Sequence, residues 1–250
     1  MRIACLLLAF STLLPAMAVA APADVAAALA APARPDAYRA LDEVRRPAEV
    51  LRFFGLRRGD RVLEYGAGGG YYAEIIGPAV GPTGMVVGWN PPAFAARENV
   101  RSAVARIRGH VPNAAFYATP TTALSFPPAS FDFALLHLTY HDAYWQSADF
   151  GMDRIDPAVL TRALFAAVRP GGTVAVVDHV AAPGRETRDE VEATHRIDPA
   201  VVRADFERAG FVFEAESDLL RNPDDDRSVR VFDPSIRGRT DRFMFRFRRP

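Results

Sequence analysis

The sequence predicts an α/β protein built on a doubly wound, mostly parallel sheet of seven strands. Short runs rich in β-branched and aromatic residues alternate along the chain with runs in which apolar residues have helical spacing. Two strand-like runs, VAVV and FALL, are apolar at every position, as expected for strands that helices cover on both faces. A glycine cluster follows the first strand-like run, where doubly wound folds bind their ligands.

The elements can be assigned in order from local signals. Proline at the first helical position and glycine just after the last indicate where helices begin and end, as Pro47 with Gly55 and Pro199 with Gly210 do here. The predicted helices cover residues 47–54, 71–76, 92–108, 158–168 and 198–210. The predicted strands cover residues 61–65, 84–89, 114–118, 131–137, 173–178, 211–217 and 241–247.

Glycines recur between the first strand and the next helix, where residues 64–70 read EYGAGGG. Without Cβ atoms the backbone can approach a ligand and adopt positive φ angles, and the helix N-terminus offers free N–H groups. A dinucleotide fingerprint that begins at Gly66 would need glycine at position 71, where the chain has Tyr71. A nicotinamide oxidoreductase is therefore disfavoured, and a glycine-rich turn without a ligand remains the alternative.

Four motifs resemble those of the class I S-adenosylmethionine-dependent methyltransferases. Residues 64–70 match the first motif of that class, and residues 125–135 (SFPPASFDFAL) resemble its loop and fourth strand. Residues 169–172 (RPGG) resemble a turn before the fifth strand, and residues 209–211 (AGF) resemble the start of the sixth. More narrowly, the chain resembles a family of exported bacterial methyltransferases in residues 46–47, 53–55, 195–198, 220–223 and 240–243.

The resemblance implies a Rossmann-like class I fold, S-adenosyl-L-methionine as the cofactor and methyl transfer to an unidentified small-molecule acceptor. It also implies that the glycine motif and the carboxyl ends of the neighbouring strands contact the cofactor. The residues predicted to bind the cofactor are Glu64, Tyr65, Gly66, Ala67, Gly68, Gly70, Asn90, Thr119 and His137.

The chain differs from the family's pattern at two positions. Asn90 stands where an acidic residue usually binds both ribose hydroxyls, and an amide binds them less tightly than a carboxylate. Pro120 stands where a second acidic residue usually reaches the adenine amine, so that Thr119 or Thr121 would have to substitute. These differences leave a second function open: an exported binding or accessory protein that keeps the fold with a weakened or lost cofactor site.

His141 and Asp142 are the predicted catalytic residues. They follow the fourth strand at the carboxyl edge, where open α/β sheets bind ligands. Methyl transfer needs a general base only for a hydroxyl, thiol or protonated amine, and His141 oriented by Asp142 would supply one. Asp178 and His179 leave the fifth strand at the same edge. The histidines could instead bind loop backbone or hold a metal with these carboxylates; no metal site is predicted.

The composition excludes several classes of function. All 30 basic residues are Arg, so that lysine-dependent phosphate loops, protein kinases and Schiff-base enzymes are excluded. The 30 acidic residues balance them, and we therefore expect no nucleic-acid partner. The one cysteine, Cys5, lies in the segment that we expect to be removed, which leaves no thiol for a disulfide or a zinc site.

The N-terminus predicts export. Arg2 precedes an apolar run, residues 3–14, that is shorter than the about 20 residues needed to span a bilayer. Small residues at Ala18 and Ala20 suit a signal peptidase, so residues 1–20 are the predicted signal peptide, cleaved after Ala20. We expect a periplasmic or secreted protein without stable membrane insertion after cleavage. An Ala/Pro-rich tether is predicted at residues 21–35 and a single methyltransferase-like domain at residues 36–250.

Overall fold

Seven strands form one sheet in the computed structural model, which describes residues 20–250. The strands are β1 (Arg61–Tyr65), β2 (Met85–Asn90), β3 (Ala114–Ala118), β4 (Phe131–His137), β5 (Val168–His179), β6 (Val212–Ser217) and β7 (Arg242–Arg248). Their order across the sheet is β3-β2-β1-β4-β5-β7-β6. Strands β1 to β5 pair in parallel, whereas β7 is antiparallel to both β5 and β6. The predicted mostly parallel, seven-stranded sheet is confirmed.

Helices cover both faces of the sheet. The α-helices are α1 (Val25–Ala30), α2 (Asp36–Arg39), α3 (Asp42–Arg45), α4 (Pro47–Phe54), α5 (Tyr71–Val80), α6 (Pro92–Ala95), α7 (Glu98–Arg108), α8 (Pro157–Ala167), α9 (Thr187–Thr194) and α10 (Pro199–Arg208). Successive residues of β1 point to opposite faces, so that Val62 packs in one buried apolar cluster and Leu63 in the other. The central strands are thereby buried on both sides.

The sheet grows in two directions from β1, which places a crevice at its centre. The chain runs from β1 outward to β2 and β3, then returns to the other side of β1 to form β4 and β5. The connections that leave the carboxyl ends of β1 and β4 therefore diverge to opposite faces, and the space between them is where open α/β sheets bind ligands.

Three predicted elements differ from the observed ones by more than two residues, and the first is the helix predicted from residue 71, which continues beyond residue 76 to Val80. The strand predicted at 173–178 begins earlier, at Val168, because residues 169–172 stay in the sheet instead of turning away from it. There the N–H of Gly171 donates to the carbonyl of Arg249, and the N–H of Arg249 donates to that of Gly172. The helix predicted at 92–108 is two helices, α6 and α7, since Arg97 adopts an extended conformation between them.

The segment predicted to be a tether, residues 21–35, is packed against the domain in the structure. The N–H of Ala23 donates to the carbonyl of Leu56, and that of Asp24 donates to the carbonyl of Ala79. Helix α1 then contacts α4 and α5 and buries Val25 and Ala28. These two buried residues lie on one face and are enough to dock the helix. They could not be recognised in the sequence, because the segment consists mostly of Ala and Pro. The short helices α2, α3 and α9 were also not predicted.

The predicted signal peptide lies outside the described residues, apart from Ala20. Within residues 20–250 no helix has both the length and the hydropathy needed to cross a membrane.

The docking of α1 can be tested with a buried charge. Ala28 is 2% exposed, so that Ala28→Asp would bury a carboxylate without a partner, and we expect it to lower the free energy of unfolding by about 3 kcal/mol. Ala26, which is exposed on the same helix, provides the control Ala26→Asp, for which we expect little change. Urea unfolding measures both. Equal stabilities for the two variants would show that residues 21–35 do behave as a tether.

Candidate functional site

A cavity of about 670 Å³ occupies the crevice at the carboxyl ends of the central strands. Its walls come from the loop after β1, the end of β2, the residues after β4 and the connection between β6 and β7. The volume lies within the range of sites that enclose small organic molecules.

The glycine loop after β1 has one side that faces protein and one that faces the cavity. Gly66, Gly68 and Gly70 all have positive φ angles, of 69°, 59° and 82°. A Cβ atom on Gly66 would lie 2.6 Å from Thr139 Cγ2, and one on Gly70 would lie 2.6 Å from Ile107 Cδ1. A Cβ atom on Gly68 would meet nothing within 4 Å among the described residues. Packing thus explains two of the glycines, whereas the space beside Gly68 opens into the cavity.

Asn90, at the end of β2, holds the glycine loop in place. Its side-chain Oδ1 accepts from the N–H of Gly68 at 2.8 Å, and its Nδ2 donates to the carbonyl of Gly68 at 3.0 Å. An amide can make both bonds, whereas a carboxylate could only accept. Both polar atoms of the Asn90 side chain are therefore bonded to the backbone of Gly68. This explains why the chain has an amide where the methyltransferase pattern has a carboxylate.

Buried polar atoms without partners are concentrated around the cavity. Of the eight buried side-chain nitrogen or oxygen atoms that lack a hydrogen-bond partner in the described part of the chain, five belong to residues of the cavity wall. They are Glu64 Oε2, Tyr65 OH, Tyr72 OH, His137 Nε2 and His195 Nδ1. Each such atom costs about 1–3 kcal/mol when it is left unsatisfied. The protein therefore leaves several hydrogen bonds unmade in the residues that line the cavity.

Glu64 and His137 are both held in their neutral forms by the protein. Burial raises the pKa of Glu64 to about 8, although the backbone N–H of Ala73 and the charge of Arg45 oppose this rise. The pKa of His137 lies well below its usual value, mainly because the ring is buried and also because Arg45 and Arg242 are positively charged. A cationic group bound beside Glu64 would restore the ionised carboxylate.

Seven of the nine residues predicted to bind the cofactor line the cavity, and two do not. Gly70 caps the N-terminus of α5 behind the loop, and Thr119 accepts a hydrogen bond from Trp89 Nε1 at 2.9 Å. Thr121, the alternative to Thr119, is buried and bonded to Asp153. The structure therefore brings neither threonine to the cavity wall, and both hydroxyls are bonded to other residues of the protein.

The predicted catalytic residues, His141 and Asp142, lie at the other end of the cavity. Asp178, not Asp142, orients the imidazole: His141 Nδ1 donates to Asp178 Oδ1 at 2.7 Å, and the N–H of His141 donates to Asp178 Oδ2. Asp142 lies on the opposite edge of the ring, with its Oδ1 3.4 Å from His141 Nε2. Asp178 is the last-but-one residue of β5, so its position at the carboxyl edge was visible in the sequence but its partner was not.

The charges around His141 do not favour the neutral imidazole that a general base requires at neutral pH. Burial lowers the pKa of His141, but the charges of Asp178 and Asp142 outweigh it and raise the pKa to about 9. Burial in turn raises the pKa of Asp142 to about 6. At pH 7 the imidazolium of His141 therefore predominates and has no lone pair with which to accept a proton.

Sequence reasoning missed two further groups at this end, His195 and Arg230. His195 follows α9 in the left-handed conformation, with a φ of 54°, and its ring lies against that of Trp145. Arg230, in the connection between β6 and β7, donates to His195 Nε2 at 2.7 Å. Both are more than fifty residues from His141 along the chain, and only the tertiary fold brings them together. His179 stands on the same wall, with its Nδ1 bonded to Thr240.

Comparison with solved structures shows which fold this is. The chain resembles a SAM-dependent methyltransferase from Aquifex aeolicus, with a TM-score of 0.56 and 18% identity over 80% of this chain and 88% of that one. It also resembles the [4+2]-cyclase SpnF, with a TM-score of 0.54 and 18% identity over 83% and 81% of the two chains.

A third similar structure is phosphoethanolamine N-methyltransferase 2 of Haemonchus contortus, solved in complex with S-adenosyl-L-methionine. The TM-score is 0.53 at 16% identity, and the match covers 70% of this chain but only 38% of that one. The sequence matches no protein-family model and no curated protein. These comparisons confirm the predicted class I, Rossmann-like methyltransferase fold.

The role of Asn90 in the loop can be tested with the carboxylate that the family usually has. In Asn90→Asp the donor to the carbonyl of Gly68 is lost, and a carboxylate oxygen faces that carbonyl instead. We expect the free energy of unfolding at pH 7 to fall by about 2 kcal/mol. Asn99→Asp, on an exposed position of α7, is the control and should change it by less than about 0.5 kcal/mol. Unchanged or increased stability of Asn90→Asp in urea would contradict the role of the amide.

Proposed function

We propose that this protein binds S-adenosyl-L-methionine and transfers its methyl group to a small acceptor. The observation that carries the proposal is the open space beside Gly68, bordered by unpartnered polar atoms at the carboxyl end of β1. The class I fold supports it, since similar structures include SAM-dependent methyltransferases. When bound, S-adenosyl-L-methionine supplies a sulfonium methyl group that is already activated for displacement.

The residues around the loop fit this cofactor. Glu64 offers an unpartnered carboxyl oxygen for the ammonium group, and Arg45 lines the same part of the cavity as a cation for the carboxylate. Pro91 and Phe94 extend the wall beyond Asn90 and offer apolar surface to a flat base. This part of the cavity, called the cofactor end below, thus has a polar region for the amino-acid group of S-adenosyl-L-methionine and an apolar region for its base.

The other end of the cavity would position the acceptor. Trp145, Phe150 and Phe232 give it apolar walls, and its polar groups include His141 and Asp142. Methyl transfer depends mainly on the alignment of donor and acceptor. The shape of the cavity and the exclusion of water would therefore be the protein's main contributions to catalysis. We assign His141 and Asp142 to the acceptor, because they face this end of the cavity.

The alternative function is a binding or accessory protein that keeps the fold. The absence of both threonines from the cavity wall and the commitment of Asn90 to Gly68 favour it. The similar [4+2]-cyclase is, by its name, not a methyltransferase, so that the fold by itself does not establish the reaction. The two functions differ in cofactor binding: a lost site gives no heat with S-adenosyl-L-homocysteine in a calorimeter.

Two glycines provide a matched test of cofactor binding. Gly68 and Gly55 both have positive φ angles, 59° and 78°, and a Cβ atom on either would meet nothing within 4 Å among the described residues. Gly68→Ala and Gly55→Ala should therefore each cost about 1–2 kcal/mol of stability through backbone strain. Only Gly68→Ala should also weaken the binding of S-adenosyl-L-homocysteine, by at least about tenfold, because its methyl group enters the cavity. Equal affinities in the two variants, measured by calorimetry, would count against the proposed site.

The pKa of Glu64 gives a second test. Below pH 8 the free protein carries a neutral Glu64, and binding the ammonium group of the cofactor requires the carboxyl to release its proton. The affinity for S-adenosyl-L-methionine should therefore rise as the pH is raised from 6 to 8, by up to about tenfold per unit. Glu64→Gln, which cannot ionise, should bind more weakly and should lose this dependence. Calorimetry across this pH range measures both; a wild-type affinity that does not change would show that Glu64 is not a cofactor ligand.

A further inference from the structure

We propose that His141, Asp142 and His195 bind a divalent transition-metal ion at the acceptor end of the cavity. One ring nitrogen of each histidine and one carboxylate oxygen of Asp142 lie within 4.8 Å of one another. The three residues come from two separate parts of the chain, the turn after β4 and the residue after α9. Ion binding does not depend on the proposed methyl transfer.

The geometry of His141 and Asp142 is already that of two metal ligands. His141 Nδ1 donates to the buried Asp178, which leaves Nε2 as the nitrogen that can bind an ion in exchange for its proton. A carboxylate behind the imidazole is the usual partner of a histidine that binds a metal. His141 Nε2 and Asp142 Oδ1 are 3.4 Å apart, and two ligands at about 2.1 Å from a tetrahedral ion have a separation of about 3.4 Å.

His195 completes the set and is held rigidly. It is 2% exposed, and its Nδ1 has no hydrogen-bond partner among the described residues. The next residue, Arg196, is fully buried and bonded to Asp225 at 2.8 Å, which fixes the backbone that carries His195. The His195 and His141 rings are perpendicular, with their centroids 5.5 Å apart. Once Arg230 no longer donates to Nε2, the neutral ring can present a lone pair to an ion beside His141 and Asp142.

The donor set indicates which ions would bind. Two imidazoles and one carboxylate suit Zn²⁺, Fe²⁺ or Co²⁺, whereas Mg²⁺ and Ca²⁺ prefer oxygen ligands. Three protein ligands leave at least one position open, and these residues line the cavity. If the protein is a methyltransferase as proposed, an oxygen or sulfur of the acceptor would occupy that position, and the ion would lower the pKa of that group. This consequence rests on the proposed function.

The charges around the site partly favour and partly oppose an ion. Asp178 and Asp142 place two carboxylates beside His141 and attract a cation. Arg230 opposes it, because its guanidinium donates to His195 Nε2 at 2.7 Å. The Arg230 side chain is exposed, so it can turn towards solvent when an ion binds. Removing this competing charge should therefore strengthen ion binding.

Calorimetry with Zn²⁺ on the purified, chelator-treated protein tests the proposal. We expect one ion per chain, an affinity at least about tenfold weaker in His195→Ala, and a tighter one in Arg230→Gln. His110→Ala is the matched control, because His110 is an exposed histidine that pairs with Glu74 away from the cavity, and it should bind as the wild type does. Thermal unfolding of each ion-free variant shows that it is folded, and the visible spectrum of the Co²⁺ protein reports nitrogen ligation independently.

The outcomes separate this proposal from the proposed function. No Zn²⁺ binding by the wild type, undiminished binding by folded His195→Ala, or weaker binding by Arg230→Gln would each overturn the metal site. Binding that only His110→Ala removes would assign the ion to the surface and overturn it as well. S-adenosyl-L-homocysteine is titrated separately into the ion-free protein, so the failure of one proposal leaves the other standing.

Discussion

The pairing of β1 with β2 on one side and β4 on the other is the constraint from which the site follows. Because the chain reverses its direction across the sheet between these strands, their carboxyl ends open into one crevice. The glycine loop enters it from β1, Asn90 from β2, and His141 with Asp142 from the turn after β4. The antiparallel pair β6 and β7 adds the connection that carries Arg230. Residues from distant parts of the sequence thus meet in one cavity.

Within this frame the two ends of the cavity have different physical characters. At the cofactor end, burial keeps Glu64 and His137 neutral and leaves polar atoms without partners, so a charged, polar ligand gains most there. At the acceptor end, two carboxylates surround His141 and favour a positive charge beside them. At the cofactor end, the free protein therefore has no ionised carboxylate from Glu64 to pair with a cation. At the acceptor end, two carboxylates already provide negative charge beside His141.

Much of the fold could be predicted because its signals are local. The central strands are continuous apolar runs, and β1, β3 and β4 have the predicted boundaries. The glycine motif likewise identified the loop at the cavity, since the need for positive φ angles is readable from glycine itself. The packing of α1 could not be predicted from composition, because this helix buries just Val25 and Ala28, too few apolar residues to distinguish a docked helix from a tether.

The parts of the site that could not be predicted depend on tertiary contacts. Asp142 is next to His141 in sequence, but the turn after β4 gives the orienting bond to Asp178. Thr119 was expected at the cavity wall from counting along the chain, yet its hydroxyl is bonded to Trp89. His195 and Arg230 gave no local signal that links them to His141. Spacing in the sequence predicts the edge of the sheet at which a residue lies, but not which neighbour its side chain finds there.

A crystal structure of the protein with S-adenosyl-L-homocysteine would show whether the cavity binds this ligand. We expect the ligand to lie in the cavity against Gly68, with its amino group within hydrogen-bond distance of Glu64 and its base beyond Asn90. Asn90 should keep both bonds to Gly68 in that complex. Crystals grown at saturating ligand that show no nucleoside in the cavity, or that show it bound elsewhere on the chain, would contradict the proposed cofactor site.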